Sequence, residues 1–411
     1  MSFWRMSWLI VISSLLLMLL GLSGIARGDE LFGRGAFFQR QLMWVCCSLP
    51  AMWLATLVPY RSLRSFSGPV FFVSLILLVV VLMMPNVNGA RCWIPLGFIN
   101  FQPSELAKLA YVLSLANYLM FRDNFRRLTG LLIPFVLTLV PVGLILREPD
   151  LGTALLFIPT LFAMLFAAGA RPRHLASITL LGVLASPLLW TQMNVEQKSR
   201  IVSLFQQKDG GEAPKGDAHQ QHQAKRTLAL GGVWGSTINE LGVDCDIAHC
   251  PECAAWMRVS RNVPVGEAIQ CSQCSKRFVA KDRAAYFLPE SRTDFVFCLI
   301  GERWGLVGCG LTLILYITII ARGVFIAACT QEPFGRLLAV GIVTLLASQT
   351  IINTGMTVGL MPVTGITLPL ASYGGSSLLM TAVSIGLLLN VGMRPGYEVS
   401  GEPFRWKTAT A

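Results

Sequence analysis

Apolar residues in this chain run on almost unbroken in ten stretches, at 8–25, 37–58, 69–84, 104–121, 129–146, 151–169, 174–190, 295–322, 335–360 and 369–392. A helix needs about 20 mostly apolar residues to cross the hydrocarbon core of a bilayer, and only a helix closes all its backbone hydrogen bonds within one such run. The pattern predicts an all-α polytopic membrane protein of about ten transmembrane helices. The first stretch has the apolar character of a secretory signal but no small-residue cleavage site, and the next segment is equally apolar, so it reads as an uncleaved anchor. One long polar interval divides the chain: helices 1–7 in 1–190, a loop at 191–293, helices 8–10 in 294–393 and a tail at 394–411.

Composition supports the same solvent. Hydrophobic residues make up 54% and charged residues 13% of the chain, and the mean hydropathy is +0.61, which excludes an ordinary soluble domain. Lys and Arg in short loops are retained on the cytoplasmic side. With both termini inside, thirteen basic residues lie in cytoplasmic segments against five, Arg27, Arg34, Arg40, Arg91 and Arg147, in short outer ones. The 191–293 loop then faces outward. A formal charge of +11 on such a chain points to anionic membrane lipids and phosphate-bearing lipid substrates and not to nucleic acid. No internal repeat is visible, which argues against a secondary transporter.

Two outer segments mix Gly, Pro and polar residues: 88–104 (NGARCWIPLGFINFQPS) and 361–377 (MPVTGITLPLASYGGSS). Such composition permits irregular backbone near membrane depth, either as plain caps on the bundle mouth or as parts of a site. Within the long loop, 206–223 is polar and reads as flexible. The stretch 224–242 (AKRTLALGGVWGSTINELG) reads as a helix ending in a Gly-rich turn on the outer surface.

The segment 244–280 reads as a separate module. Cys250-Pro-Glu-Cys253 and Cys271-Ser-Gln-Cys274 are separated by seventeen residues, and two such knuckles can set four thiolates tetrahedrally around a structural Zn²⁺. A pair of disulfides is the alternative in an oxidising exterior, and Cys245 and His249 stand close enough in sequence to enter the ligand set. The other cysteines, Cys46, Cys47, Cys92, Cys298, Cys309 and Cys329, read as packing residues.

Charged residues at membrane depth are costly and normally paired in the bundle interior. Glu105 and Lys108 share one helix face behind Pro103, as a structural ion pair or as the lining of a substrate cavity with Lys108 available for phosphate. Asp294, between polar Glu290-Ser291-Arg292-Thr293 and apolar Phe295, is either a helix cap or a carboxylate raised toward a general base. Glu302 and Arg303 are expected to pair inside the bundle. The cluster Arg147-Glu148-Pro149-Asp150 carries the same ambiguity.

The segments NGARCWIPLGFINFQPSELAKL, EPDLGTALL, LPESRTDFVFCLIGERWGLVG, INTGMTVGLMPVTGITLP and SYGGSSLL resemble the SEDS family (shape, elongation, division and sporulation), the FtsW, RodA and SpoVE group, and lean toward its division and sporulation branch. ALGGVWG is similar to the family's Gly-rich segment. The resemblance covers nearly the whole chain outside 244–280. It implies a ten-span enzyme of the bacterial cytoplasmic membrane that polymerises lipid II, the undecaprenyl-diphosphate-linked disaccharide pentapeptide, beside a class B penicillin-binding protein transpeptidase. It implies Asp294 as the catalytic carboxylate, and Arg91, Glu105, Lys108, Asp150, Glu290, Arg292 and Glu302 as candidate substrate-binding or cavity-lining residues. A divalent cation, Mg²⁺ or Mn²⁺, would suit the diphosphate leaving group, with ligands the sequence does not name.

Three features depart from the family pattern. His is usual where Arg292 stands, and a second acidic residue is usual where Arg303 follows Glu302. The cysteine module is not a family feature. Arg292 is expected to lower the pKa of Asp294 and to hold diphosphate or weaken the base. Two other functions fit the same residues: a lipid II flippase using Glu105, Lys108 and Glu302, or a decayed scaffold that docks partners through the module.

Overall fold

The computed structural model describes residues 7–32, 37–85, 92–95, 100–121, 128–193, 195–205, 217–236, 245–250, 252–253, 256–260, 267–279, 284–285, 288, 290–394 and 396. Each of the ten predicted spans is a helix: α1 (Trp8–Phe32), α2 (Phe37–Leu57), α3 (Tyr60–Val81), α4 (Pro103–Met120), α5 (Leu132–Arg147), α6 (Leu151–Ala168), α7 (Pro172–Gln192), α10 (Val296–Cys329), α11 (Pro333–Val358) and α12 (Gly375–Met393). Two further helices, α8 (Val195–Phe205) and α9 (Asp217–Gly231), belong to the long loop. Seven of the described helices, α1, α3, α5, α6, α10, α11 and α12, are long and apolar enough to cross a membrane unaided. The chain is a polytopic helical membrane protein. α4 falls short because it carries Glu105, Lys108 and Asn117, but nearly all of its faces are buried by other helices, so its solvent is protein and not lipid.

Local chemistry fixes the helix ends. Pro103, Pro172 and Pro333 occupy first-turn positions, where a missing N–H has no cost. Gly169 and Gly359 end α6 and α11 in the left-handed conformation, at φ 97° and 85°, which favours glycine. Leu19, Phe72, Leu132, Phe166, Leu184 and Ile317 are exposed, as the lipid-facing side of such a bundle requires. Cys46, Cys47 and Cys329 are also exposed, so these three are surface residues, contrary to the packing role expected; Cys92, Cys298 and Cys309 are buried.

α1 runs one to two turns past its expected end and carries Arg27 into the bundle, where it is buried. Arg27 is therefore not an outer-loop residue. Its Nε and second guanidinium nitrogen donate to both carboxylate oxygens of Glu302 at 2.7 and 2.8 Å. Arg303 donates to the Ser23 carbonyl at 2.8 Å and stands 3.8 Å from Glu30. The expected Glu302–Arg303 pairing is replaced by two separate attachments of α10 to α1, because successive helical residues point in different directions.

α9 starts at Asp217, so 217–223 is helical and not flexible as expected; 206–216 lies outside the described residues. α9 does not lie on the surface either. Gln221 is fully buried and donates to the Met361 carbonyl at 2.9 Å, and the Gly-rich turn after α9 enters a break in α10. Gly305 has φ 65° and ψ −158°, a conformation that only glycine adopts without strain. The freed amides of Leu306 and Val307 donate to Gly232 and Val233 carbonyls at 2.9 and 3.3 Å, and the Ser236 amide donates to the Glu302 carbonyl at 2.8 Å. A Cβ on Gly231 would sit 1.9 Å from the Gly301 carbonyl oxygen. ALGGVWG is thus a backbone plug that satisfies a broken helix at membrane depth, where unpaired groups are costly.

The irregular segment between Gly359 and Gly374 is exposed at Leu360 and Gly365, mostly buried from Ile366 to Ser372, and held by side chains. Gln349 donates to the Thr367 carbonyl at 3.1 Å, Gln41 to that of Ser372 at 3.0 Å, and Ser372 Oγ accepts from the Leu368 amide at 2.8 Å. In the other Gly/Pro segment, β1 (Ile94–Pro95) pairs antiparallel with β2 (Asn100–Phe101). The cysteine module consists of β3 (Cys245–His249), β4 (Trp256–Ser260) and β7 (Ala284–Ala285) in one sheet, and the hairpin of β5 (Ala268–Gln270) and β6 (Arg277–Val279).

Candidate active site

Asp294 sits in a tight turn leading into α10. The Glu290 carbonyl accepts from the amides of Thr293, Asp294 and Phe295 at 3.2, 3.1 and 3.4 Å. Buried Leu288 and Phe295 anchor the turn against Ala224, Cys298 and Val363. The residue preceding α10 is Phe295, with no side-chain cap bond, so the capping alternative for Asp294 does not hold. The Asp294 carbonyl accepts from Asn353 Nδ2 at 2.8 Å, and a Cβ on Gly365 would lie 3.7 Å from Asp294 Oδ2. Half-buried in this turn, the Asp294 carboxyl is pushed up to about 7 by burial first and by the charges of Glu290 and Asp150 next. Arg200, on α8, and the Thr293 hydrogen bond act in the opposite direction.

Asp150 caps α6, accepting from the Thr153 amide at 2.9 Å, and its second oxygen stands 3.4 Å from Gln102 Nε2. Burial raises its pKa, and Lys108 opposes the rise. Lys108 donates to Glu105 Oε1 at 2.9 Å, with both side chains buried. The pair is a buried ion pair, as one of its two readings expects, and it borders a small cavity with Ile342, Leu345, Gln349 and Thr381. The cavity holds about 20 Å³, space for a single water. Glu148 is fully buried, and neither of its carboxylate oxygens has a hydrogen-bond partner. Burial and then Asp150 push it up to about 8.

Not every residue singled out in the sequence joins this group. Arg91 lies outside the described residues. Glu290 is exposed, with a hydrogen bond from Thr293 Oγ1 to its Oε2 at 3.0 Å. Glu302 is committed to Arg27. Arg292 turns away from Asp294: its Nε stands 2.9 Å from Asp29 Oδ1, it donates to the Gly28 carbonyl at 2.8 Å, and its guanidinium lies 4.6 Å from the Phe37 ring centre. The expected lowering of Asp294 by Arg292 is absent and the shift is upward, because Asp29 neutralises that guanidinium while burial governs the carboxyl. Sequence reading missed Arg200 and Asn353. INTG carried Asn353 as motif text, but its grip on the Asp294 turn is a contact across 59 residues with no local signature.

In the cysteine module, Cys250 and Cys274 sulfurs lie 3.7 Å apart and those of Cys253 and Cys271 3.6 Å. All four lie within 4.8 Å of one another and none is disulfide-bonded. Zn–S bonds of about 2.3 Å in a tetrahedron require sulfurs roughly 3.8 Å apart. The cluster therefore has the ligand number, type and spacing of a metal site suited to an ion such as zinc. The Cys274 and Gln273 amides, in that order, lower the Cys271 thiol to about 6, which favours the thiolate a metal binds. Cys245 and His249 are on β3, but their side chains lie outside the described residues.

The sequence profile of the cell cycle protein family FtsW/RodA/SpoVE matches residues 1–247 and 280–395, so the two cysteine knuckles fall between the matched stretches. A chain named "Probable peptidoglycan glycosyltransferase FtsW" from Geobacter metallireducens is 32% identical over 365 residues, 87% of this chain and 85% of that one. Stage V sporulation protein E of Bacillus subtilis is 32% identical over 397 residues, 93% and 96% of the two chains. Among solved structures, a chain described under "polymerization and crosslinking by a peptidoglycan synthase complex" matches with a TM-score of 0.73 at 29% identity, covering 95% of this chain and 98% of that one. Rod shape determining protein RodA of Thermus thermophilus matches at 0.65 and 28%, with the same coverage. This chain belongs to the FtsW/RodA/SpoVE family of cell cycle proteins.

Proposed function

We propose that the protein is an inverting peptidoglycan glycosyltransferase that polymerises lipid II on the outer face of the bacterial cytoplasmic membrane, with both termini in the cytoplasm, in cell division or cell-shape maintenance. The observation that carries this reading is Asp294: a half-buried carboxyl poised near 7, braced by Asn353 at the mouth of the bundle, within the field of Asp150 and Arg200. A general base works best with a pKa near the working pH. The carboxylate takes the proton of the acceptor sugar's 4-hydroxyl as that oxygen bonds to the donor's anomeric carbon. The bond from that carbon to the lipid diphosphate breaks, and its electron pair leaves with the diphosphate. Positive charge for that leaving group comes from Lys108, Arg91 or a divalent cation.

The family relationship supports the substrate, and the likeness to a chain of a peptidoglycan synthase complex supports a class B penicillin-binding protein transpeptidase as partner. The four-cysteine module holds structural zinc in this reading, because a closed four-thiolate site leaves no open position for catalysis. A single-water cavity beside Glu105 and Lys108 disfavours a translocation route through that pair.

The test is lipid II polymerisation by the purified chain with its transpeptidase, compared with Asp294→Asn. Glycan strands from wild type and none from the well-expressed variant are expected. Strands of unchanged yield and length from Asp294→Asn overturn the assignment.

A further inference from the structure

Glu148 is the most anomalous charged residue in the described structure. It follows α5 at the outer end of the bundle, is fully buried, and has two carboxylate oxygens with no hydrogen-bond partner. A carboxyl buried without a partner has given up its hydration for nothing, at about 1–3 kcal/mol for an unsatisfied polar group and more when it is charged. Every other buried carboxylate in the bundle is answered: Glu105 by Lys108, Glu302 by Arg27, and Glu332 by the Gly335 amide. Beside Glu148 stands Asp150, whose second oxygen receives only the 3.4 Å contact from Gln102.

We propose that Glu148 and Asp150 form a divalent-cation site of the Mg²⁺/Mn²⁺ class. Two carboxylates with spare oxygen lone pairs are a hard-ligand set, and Mg²⁺ is characteristically held by one or two carboxylates while waters and substrate phosphates complete its octahedron. The unanswered oxygens of Glu148 are what fit a cation here. Resting on the polymerase reading, the cation would neutralise the donor's diphosphate there; the binding site itself does not depend on that reading.

The experiment is a Mn²⁺ titration of the full chain in nanodiscs, followed by electron paramagnetic resonance, without lipid II and with the cysteine module first saturated with Zn²⁺. Wild type is expected to take up one Mn²⁺ per chain in competition with Mg²⁺, and Glu148→Gln to bind at least tenfold more weakly with an unchanged thermal midpoint. Glu148→Asp, which keeps the charge on a shorter stem, serves where the amide variant fails to fold, and is expected to bind with intermediate strength. Wild type that takes up no Mn²⁺ overturns the proposal, as do Glu148 variants that bind it like wild type. Lipid II polymerisation is measured on the same samples: Mn²⁺ bound through Glu148 without polymerisation sinks the polymerase and leaves the site, whereas polymerisation with Glu148-independent Mn²⁺ binding does the reverse.

Discussion

Asn353 donates its side-chain amide to the carbonyls of both Asp294 and Ile366, at 2.8 and 2.6 Å, and so ties the turn bearing the acidic residue to the irregular segment that covers it. Asn353 touches neither carboxylate oxygen, so it is a positioning residue. Asn353→Ala leaves two buried carbonyls without this donor, at about 1–3 kcal/mol each, and frees the turn. Polymerisation should fall about ten- to hundredfold through misplacement of the base, while the thermal midpoint drops and protein still inserts. Asn353→Asp, which loses the donor at the same volume, should behave like alanine; activity near wild type in both variants removes the positioning role.

The rate should follow the ionisation of Asp294. Its carboxyl lies near 7, and only the carboxylate accepts a proton. Below that pH the apparent kcat/KM therefore climbs up to tenfold per unit, and above it the rate levels off. Glu290 contributes to the rise from an exposed position, so Glu290→Gln should slide the acidic limb toward lower pH by a few tenths of a unit, a screened effect that shrinks in high salt. An acidic limb centred near 4 would show that the base is not in this environment.

Arg292 looks from the sequence like the neighbour most able to spoil that base, and the structure turns it into a brace for the end of α1. Arg292→Ala should lower the thermal midpoint, because it strands the Asp29 carboxylate and removes the stack on Phe37. The pH midpoint of polymerisation should stay where it is. A midpoint displaced upward by half a unit or more would restore Arg292 as a direct influence on Asp294.

The Arg27–Glu302 pair predicts a stability signature. Removing one partner leaves the other as an uncompensated buried charge, which costs about 3–5 kcal/mol, whereas replacing both by apolar residues is often neutral. Arg27→Met alone and Glu302→Met alone should each unfold at clearly lower temperature than the double variant in the same detergent. Singles that are milder than the double would mean that water reaches the pair.

Much of this architecture was legible because each span is a local, continuous signal: ten apolar runs became ten helices, and the two CxxC knuckles converged as their spacing required. The failures have one physical source. Arg27, Arg292 and Glu302 were judged by their neighbours in the chain, yet each is settled by a contact more than 260 residues away. The glycines of ALGGVWG announced close backbone approach but not what approached, since a plug in a broken helix needs Gly305, some 70 residues on, to be read with it. Glu148 was visible only as one member of a charged cluster, because absence of a partner is a property of the fold.

Zinc removal should separate the module from the chemistry. The small apolar core of the module is Val259 with Met257, Ile269 and Phe278, too little to offset the entropy of ordering its strands without a metal. Stripping the ion with a chelator, or replacing Cys271 by Ser, should therefore abolish hydrogen-exchange protection across β3 to β6. The turn that carries Asp294 is anchored on its own side by Leu288 and Phe295 in the bundle, so α10 and α11 should keep their protection and glycan synthesis should persist in the zinc-free protein once Mg²⁺ is restored. If synthesis stops while those helices remain protected, the module has to bear on the active site through a contact that the bundle anchors do not supply.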